Sequence, residues 1–449
     1  MPAASQTLPK HKFSLPLAIV VASFIACALE GAARKWILPS EGILKYFAYF
    51  SKDMLLALCV FFPINGWLPI ALRFRSVLSI ALLATIMGCL FSLAGDLNLV
   101  GAVLTVRSAL ALPVLALIVA IRLPKRSIYV LALVCIPLAI LNAAVGTIQF
   151  FSPAGAWINQ LANENQLVAT ASYADRIRAS GTFSYITGYG NFSIVQLVFG
   201  LVLFVLGKNT QERWGASILI FCAAVCGGAT VSRGVGLGLV VLFVAWATLG
   251  KFFTRTIINI SVACAVLGGA LYIWGYMDET QEILSASQRR NEVVDDSIID
   301  RIFAPLFEIP EAADESLFGQ GIGTEQVAGN YSKTGRMAFT TYESEWSRII
   351  MEIGVVGLLG VAVTYLSAVL LLYQRLQKDR TREVRGILYA VILACCLWAY
   401  TGVIFNHVSS YYFWLLFALA VAYLAPHEAP SPDALYARNR TQQRAISAR

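Results

Sequence analysis

The residues best suited to chemistry in this chain are cations set among apolar runs. The stretch "ATVSRGVGLGLVVLF", residues 229 to 243, places Ser232 and Arg233 between two such runs. A guanidinium never loses its charge and can grip an oxyanion through two N–H groups at once, so something anionic is its natural partner. Arg34 and Lys35 stand in "EGAARKWILP", and Arg176 and Arg178 in "ADRIRASGTF". Arg289, Arg290, Arg301, Lys333, Arg336 and Arg348 lie in or beside a second polar stretch. Lys52 and Arg107 fall inside apolar segments, where an ionised side chain is costly and faces the interior of a bundle. Asp53 is a possible counter-ion for Arg107, and the pair reads either as a structural tie between helices or as part of a polar cavity.

What positions these residues is a membrane. With 58% hydrophobic and only 13% charged residues, the composition excludes a soluble globular chain. Apolar runs of about 20 residues recur, the length a helix needs to cross about 30 Å of hydrocarbon. The ten-residue alternation of a membrane barrel is absent. The chain therefore reads as an all-α polytopic membrane protein with about twelve transmembrane helices. The expected spans are 15–30, 43–64, 76–94, 98–121, 127–151, 188–207, 214–231, 234–250, 257–275, 347–373, 386–405 and 410–425. Residues 1–14 and 426–449 are read as cytoplasmic tails flanking one transmembrane domain, 15–425.

Orientation follows from the basic residues. With the N-terminus inside, Lys10, Lys12, Arg73, Arg75, Arg122, Lys125, Arg126, Lys208, Arg213, Lys251 and Arg255 fall on the cytoplasmic side. So do the loop "QRLQKDRTREVR" and the arginines after Pro426. Most of the 34 lysines and arginines thus sit in short inside segments, and both termini are expected there. The net charge of +8 is largely this topological signal and does not point to nucleic acid. All nine cysteines lie in apolar spans, with none in an outer loop where a disulfide would form. Two outer segments, 152–187 and 276–346, exceed the usual connection of about four to six residues and are expected to cap the membrane domain. No internal repeat of the kind that marks many secondary transporters is visible.

Several short islands carry a resemblance. "RASGTFSYITGYGNF" from Arg178 resembles the outer-loop segment of the O-antigen polymerase and O-antigen ligase superfamily, and "TVSRGVGL" is similar to its Ser-Arg-Gly helix turn. "RIFAPLFEIPEAADESLFGQGIGT" resembles the part of its large periplasmic loop where an Arg precedes a Gly-rich turn. "YESEWSRIIMEIGVVGLLG" is similar to the start of the helix that follows. "EGAARKWILP" and "YFSKDMLL" look like stretches of an exopolysaccharide polymerase branch. One departure matters: ligases of the superfamily carry a His ahead of this last helix, and here the family's spacing, counted back from Glu352, lands on Glu343. None of the three histidines, His11, His407 and His427, occupies that position.

The resemblance implies a GT-C-like membrane glycosyltransferase of the bacterial inner membrane, working at the periplasmic face without a cofactor or divalent metal. Such an enzyme transfers a glycan from an undecaprenyl-pyrophosphate donor to an acceptor glycan chain, with inversion. Arg178, Arg233 and Arg301 would bind the donor pyrophosphate, with Arg34 and Lys35 as secondary cations, because developing phosphate charge needs fixed positive groups. Glu343 or its neighbour Glu345 would serve as base, a role open to a partly desolvated carboxylate. Gly319, Gly321 and Gly323 would let backbone approach a sugar or simply turn the loop. His407, expected in a short outer turn, is the reserve acid or base. Membrane lipids, a flippase and a chain-length regulator are the implied partners. A ligase acting on a lipid A core and an anion transporter are the alternatives.

Overall fold

Apolar composition turns these runs into helices because a backbone in hydrocarbon must satisfy its own hydrogen bonds. In a computed structural model the chain is described for residues 14–38, 43–62, 69–93, 95, 99–160, 172–173, 176–249, 298–324, 344–379, 381–400 and 407–424. Helix α1, Leu15–Ala32, starts behind Ser14 with proline in its first turn, where a missing N–H costs nothing. It continues as a π-helical turn, Ala33–Ile37, so the first span does not stop at Glu30 as expected. At this junction the Ala32 N–H donates to the Thr182 carbonyl at 2.7 Å, a contact from outside the helix where its ladder changes.

Helix α2, Ile43–Leu58, closes with a 3-10 turn at Cys59–Phe61, short of the expected end at 64. Phe62 precedes a proline and is extended, the conformation that neighbour imposes. Helix α3 is Pro69–Ser92. Helices α4, Leu99–Val106, and α5, Leu112–Ala120, are joined by a second π-helical turn, Arg107–Ala111, where one uninterrupted span was expected. Then follow α6, Ser127–Phe151, α7, Ile186–Leu206, α8, Thr210–Ala229, and α9, Arg233–Leu249. Helix α10, Ile298–Glu315, lies inside the segment expected to be a long loop. The last three are α11, Glu345–Lys378, α12, Arg382–Tyr400, and α13, His407–Tyr423, so the final spans begin half a turn to one turn earlier than expected. Two-residue strands Ser172–Tyr173 and Arg176–Ile177 pair antiparallel.

Among the described residues, six stretches are long and apolar enough to cross a membrane: Leu15–Ile37, Leu99–Ala120, Ser127–Phe151, Ile186–Leu206, Glu345–Lys378 and Arg382–Tyr400. Ser79–Ser92, Gly234–Leu249 and His407–Tyr423 are shorter apolar helices. The protein is a helical membrane protein. The expected span 257–275, the C-terminal tail and residues 1–13 of the N-terminal one lie outside the described residues.

Helices α7 and α13 form the centre. Every residue of α13 after His407 is buried, as is nearly all of α7. Helices α6, α8, α9 and α12 surround α7, while α5 and α6 flank α13. Phe24, Phe192, Phe199 and Tyr412 interlock there edge to face and stacked. At the periphery, α3 and α11 approach at glycines: a Cβ on Gly88 would lie 2.5 Å from Gly357 Cα, and one on Gly360 2.5 Å from Thr85 N. Small residues at a helix crossing are how membrane helices gain close contact when burial from lipid supplies little driving force. Ile80 and Leu83 of α3, Val240 and Val244 of α9, and Leu359 and Leu366 of α11 point outward, as a lipid-facing surface requires.

Candidate functional site

Arg34, Lys35, Asp53, Arg107, Arg178 and His407 gather around the C-terminal end of α1, while the Gly-rich turn and Glu345 lie against α11. Residues 179–183, expected in a surface loop, are instead buried non-helical chain. Irregular backbone at membrane depth survives only when protein satisfies its polar groups, and here α6 does so. Gln149 Oε1 accepts from the backbone N–H groups of Ser180 at 3.1 Å and Gly181 at 2.7 Å, while its Nε2 donates to the carbonyls of Ile158 and Gly181. Asn142 Oδ1 accepts from the Thr182 N–H at 3.1 Å and its hydroxyl at 2.8 Å. Gln149→Leu leaves these donors buried and unpaired, at about 1–3 kcal/mol each. The expected result is a lower thermal denaturation midpoint in detergent.

This buried segment seats two of the cations. Lys35, 1% exposed, donates to Ser180 Oγ at 3.0 Å and to the Gly181 carbonyl at 2.7 Å. Arg34 donates to Ser184 Oγ at 3.0 Å and lies 5.1 Å above the Tyr49 ring, its Nε buried without a partner among the described residues. Arg178 Nε donates to the Thr230 carbonyl at 2.9 Å, and the Ala179 N–H to that of Ala229 at 3.0 Å. The segment is thereby fastened to the α8–α9 turn, so Arg178 and Arg233, 55 positions apart in the chain, come to one place. Arg233 opens α9, and its side chain lies outside what is described. Arg301 sits in the first turns of α10, which packs on α11; its side chain is likewise outside the described set.

Beneath Tyr49 is a charge cluster that the sequence only hinted at. Arg107 holds Asp53 bidentately, Nε to Oδ2 at 2.7 Å and Nη2 to Oδ1 at 2.9 Å, and Nη2 also donates to the His407 carbonyl at 3.1 Å. Its Nη1 is buried and unpartnered among the described residues. Lys52 pairs with Glu30, whose other oxygen meets His407 Nε2 at 2.8 Å. Tyr49 stacks on the His407 ring at 4.2 Å between centroids and takes Lys52 on its face at 4.7 Å. His407 is therefore the first residue of α13 and part of the cluster, not a free turn residue. Glu30, Tyr49 and Lys52 were not singled out as site residues. The available signal was opposite charge inside two consecutive apolar spans. Both π-helical turns carry an arginine of the site, consistent with the frequent occurrence of such turns at functional positions.

Of the two roles open to the Gly-rich turn, the structure shows the tight turn. Gly319, Gly321 and Gly323 all have positive φ, and each faces protein or is buried in it. A Cβ on Gly319 would stand 2.7 Å from the Glu352 carbonyl, and one on Gly323 2.2 Å from Ala102 N. The Gln320 N–H donates to the Met351 carbonyl and the Val355 N–H to that of Leu317, around a kink at Gly354 with φ 70. The turn plugs this kink, and its glycines allow the close backbone packing there. Glu352 lies buried beside it, accepting from the Thr105 hydroxyl and the Gly323 N–H. Glu345 opens α11 and pairs with Arg348 at 3.2 Å. Glu343 lies outside the described residues.

The arrangement offers fixed guanidinium and ammonium groups above a carboxylate–imidazole network, a combination suited to holding a polyanion beside a proton acceptor. No protein-family model matches the chain, and no curated protein matches it significantly.

Proposed function

We propose that the chain is a membrane glycan polymerase. It transfers undecaprenyl-pyrophosphate-linked repeats to a growing exopolysaccharide or O-antigen chain at the periplasmic face of the bacterial inner membrane. In this reading the chain crosses twelve times with both termini cytoplasmic, so that the end bearing Arg34, Arg178 and Arg233 faces the periplasm. The observation that carries the reading is the state of Arg34 and Lys35. Lys35 is fully buried and Arg34 half-buried, yet their hydrogen-bond partners are neutral oxygens, Ser184 Oγ, Ser180 Oγ and the Gly181 carbonyl. The Arg34 guanidinium keeps its charge in any surroundings, and with no carboxylate beside it among the described residues it favours an anion from outside the protein. A lipid diphosphate supplies it, with its polyprenyl tail remaining in hydrocarbon.

Arg178, Arg233 and Arg301 complete the donor site in this reading, Arg34 and Lys35 secure its inner edge, and no divalent metal is needed. The leaving diphosphate develops negative charge as its bond to the anomeric carbon breaks, and fixed cations favour that state over the ground state. Attack from the opposite side of the ring inverts the anomeric carbon. A ligase would share this donor site and differ in its acceptor.

The test is polymer production in a strain lacking the gene, complemented by Arg178→Ala, Arg233→Ala or Lys35→Ala, with membrane abundance measured in parallel. Loss of at least about 100-fold of polymer, with a lipid-linked single repeat accumulating, is the expected result. Full polymer from all three variants would end the reading. Normal repeat polymerisation in the gene's absence, with polymer no longer joined to a lipid core, would transfer it to the ligase.

A further inference from the structure

The cluster beneath Tyr49 contains an arrangement that donor binding does not require. His407 Nε2 stands 2.8 Å from Glu30 Oε1, and the second oxygen of that carboxylate is taken by Lys52. An ionised carboxylate only accepts, so the proton of a neutral imidazole belongs on Nε2, and Nδ1 is left with a lone pair. The side chain of His407 is 20% exposed while that of Glu30 is 1% exposed, so the imidazole is the reachable half of the dyad. Its ring is held on one face by Tyr49, and its carbonyl by the same Arg107 guanidinium that grips Asp53. Arg34 lies on the Tyr49 ring, so the proposed donor site and the imidazole are separated by one aromatic side chain.

We infer that His407 is the base that deprotonates the acceptor hydroxyl, with Glu30 as its positioning carboxylate; this rests on the polymerase reading above. Nδ1 takes the hydroxyl proton as the acceptor oxygen bonds to the anomeric carbon of the donor. The bond from that carbon to the diphosphate oxygen breaks, and the polyprenyl diphosphate leaves with the electron pair. Glu30 stabilises the imidazolium, which then gives its proton to water. A carboxylate that fixes the tautomer and orientation of a histidine base is a recurrent solution on unrelated folds. Among the described carboxylates, Glu345 is tied to Arg348, Glu352 to Thr105 and Gly323, and Asp53 to Arg107.

The experiment uses the full-length protein in lipid nanodiscs with a polyprenyl-diphosphate-linked oligosaccharide. It reads donor retention and polymer formation separately. His407→Ala and His407→Gln are expected to retain donor within about threefold of wild type while turnover falls by at least about 100-fold. Gln can still donate to Glu30, so this variant guards against simple misfolding. Added imidazole should restore part of the His407→Ala turnover, an effect that a merely structural histidine would not give. Glu30→Gln should lower kcat with the donor KM unchanged. Turnover of His407→Gln within about threefold of wild type, or loss in Glu343→Gln alone, overturns the inference and leaves the polymerase reading standing. A wild-type protein that binds donor and forms no polymer overturns both.

Discussion

Asp53→Ala is expected to remove about 3–5 kcal/mol of stability and most of the folded protein from the membrane, because it strands a buried charge. Arg107 lies at a π-helical turn midway along Leu99–Ala120, its side chain 6% and that of Asp53 13% exposed. Removing the carboxylate leaves a guanidinium whose remaining partner is the His407 carbonyl. Arg107→Ala has the mirror effect on Asp53. The double variant Asp53→Leu/Arg107→Met exchanges the pair for apolar side chains and should recover most of the loss, since two charges no longer need desolvating. It should not recover polymer, because the contact that holds His407 has gone. The check is the denaturation midpoint and the monodisperse fraction in detergent, alongside polymer yield in cells. Wild-type stability in both single variants would mean that water reaches this pair and that the cluster is not a low-dielectric site.

Gly31→Ala should be among the most damaging single-methyl changes at the described residues. A Cβ there would lie 2.1 Å from Phe183 C and from Ser184 N, both backbone atoms. No rotamer change relieves a clash with backbone, so the expected cost lies at or beyond the upper end of the usual 1–3 kcal/mol or so for overpacking. The displaced segment is the one that seats Lys35 on Ser180 and Arg34 on Ser184. Stability and polymer should therefore fall together. Gly236→Ala in α9 is the control: nothing lies within 4 Å of its Cβ, and alanine is the better helix former. The two variants are compared by membrane abundance and by protease accessibility of the 152–185 segment. Equal behaviour would mean that α1 and the 179–184 segment are not in contact.

How much of this was legible varies from element to element. The span 127–151 reads directly from its apolar run, and α6 occupies it to the residue. The Arg107–Asp53 pair was legible as well, because two opposite charges in hydrocarbon have few other ways to persist. The segment around Ser180 was not, since its Gly, Ser and Thr content is that of an exposed loop. Its burial depends on Gln149 and Asn142, far away in the chain, which supply the hydrogen bonds that water would have given. The Gly-rich turn was legible as a turn, but what it packs against was not. Glycine permits positive φ and close approach alike, and sequence does not name the approaching atom; here it is the α11 backbone at Glu352.

The site divides in the same way. Composition alone determined that this is a helical membrane protein and that its stray cations and carboxylates are the residues to question, because the cost of charge in hydrocarbon acts on each residue by itself. Only the tertiary structure decided the pairings: Lys52 with Glu30, Glu30 with His407, and Arg178 with the turn before Arg233. Those contacts join residues up to 377 positions apart. Their selection rests on which helix ends the bundle brings together, a property of packing that no local pattern encodes.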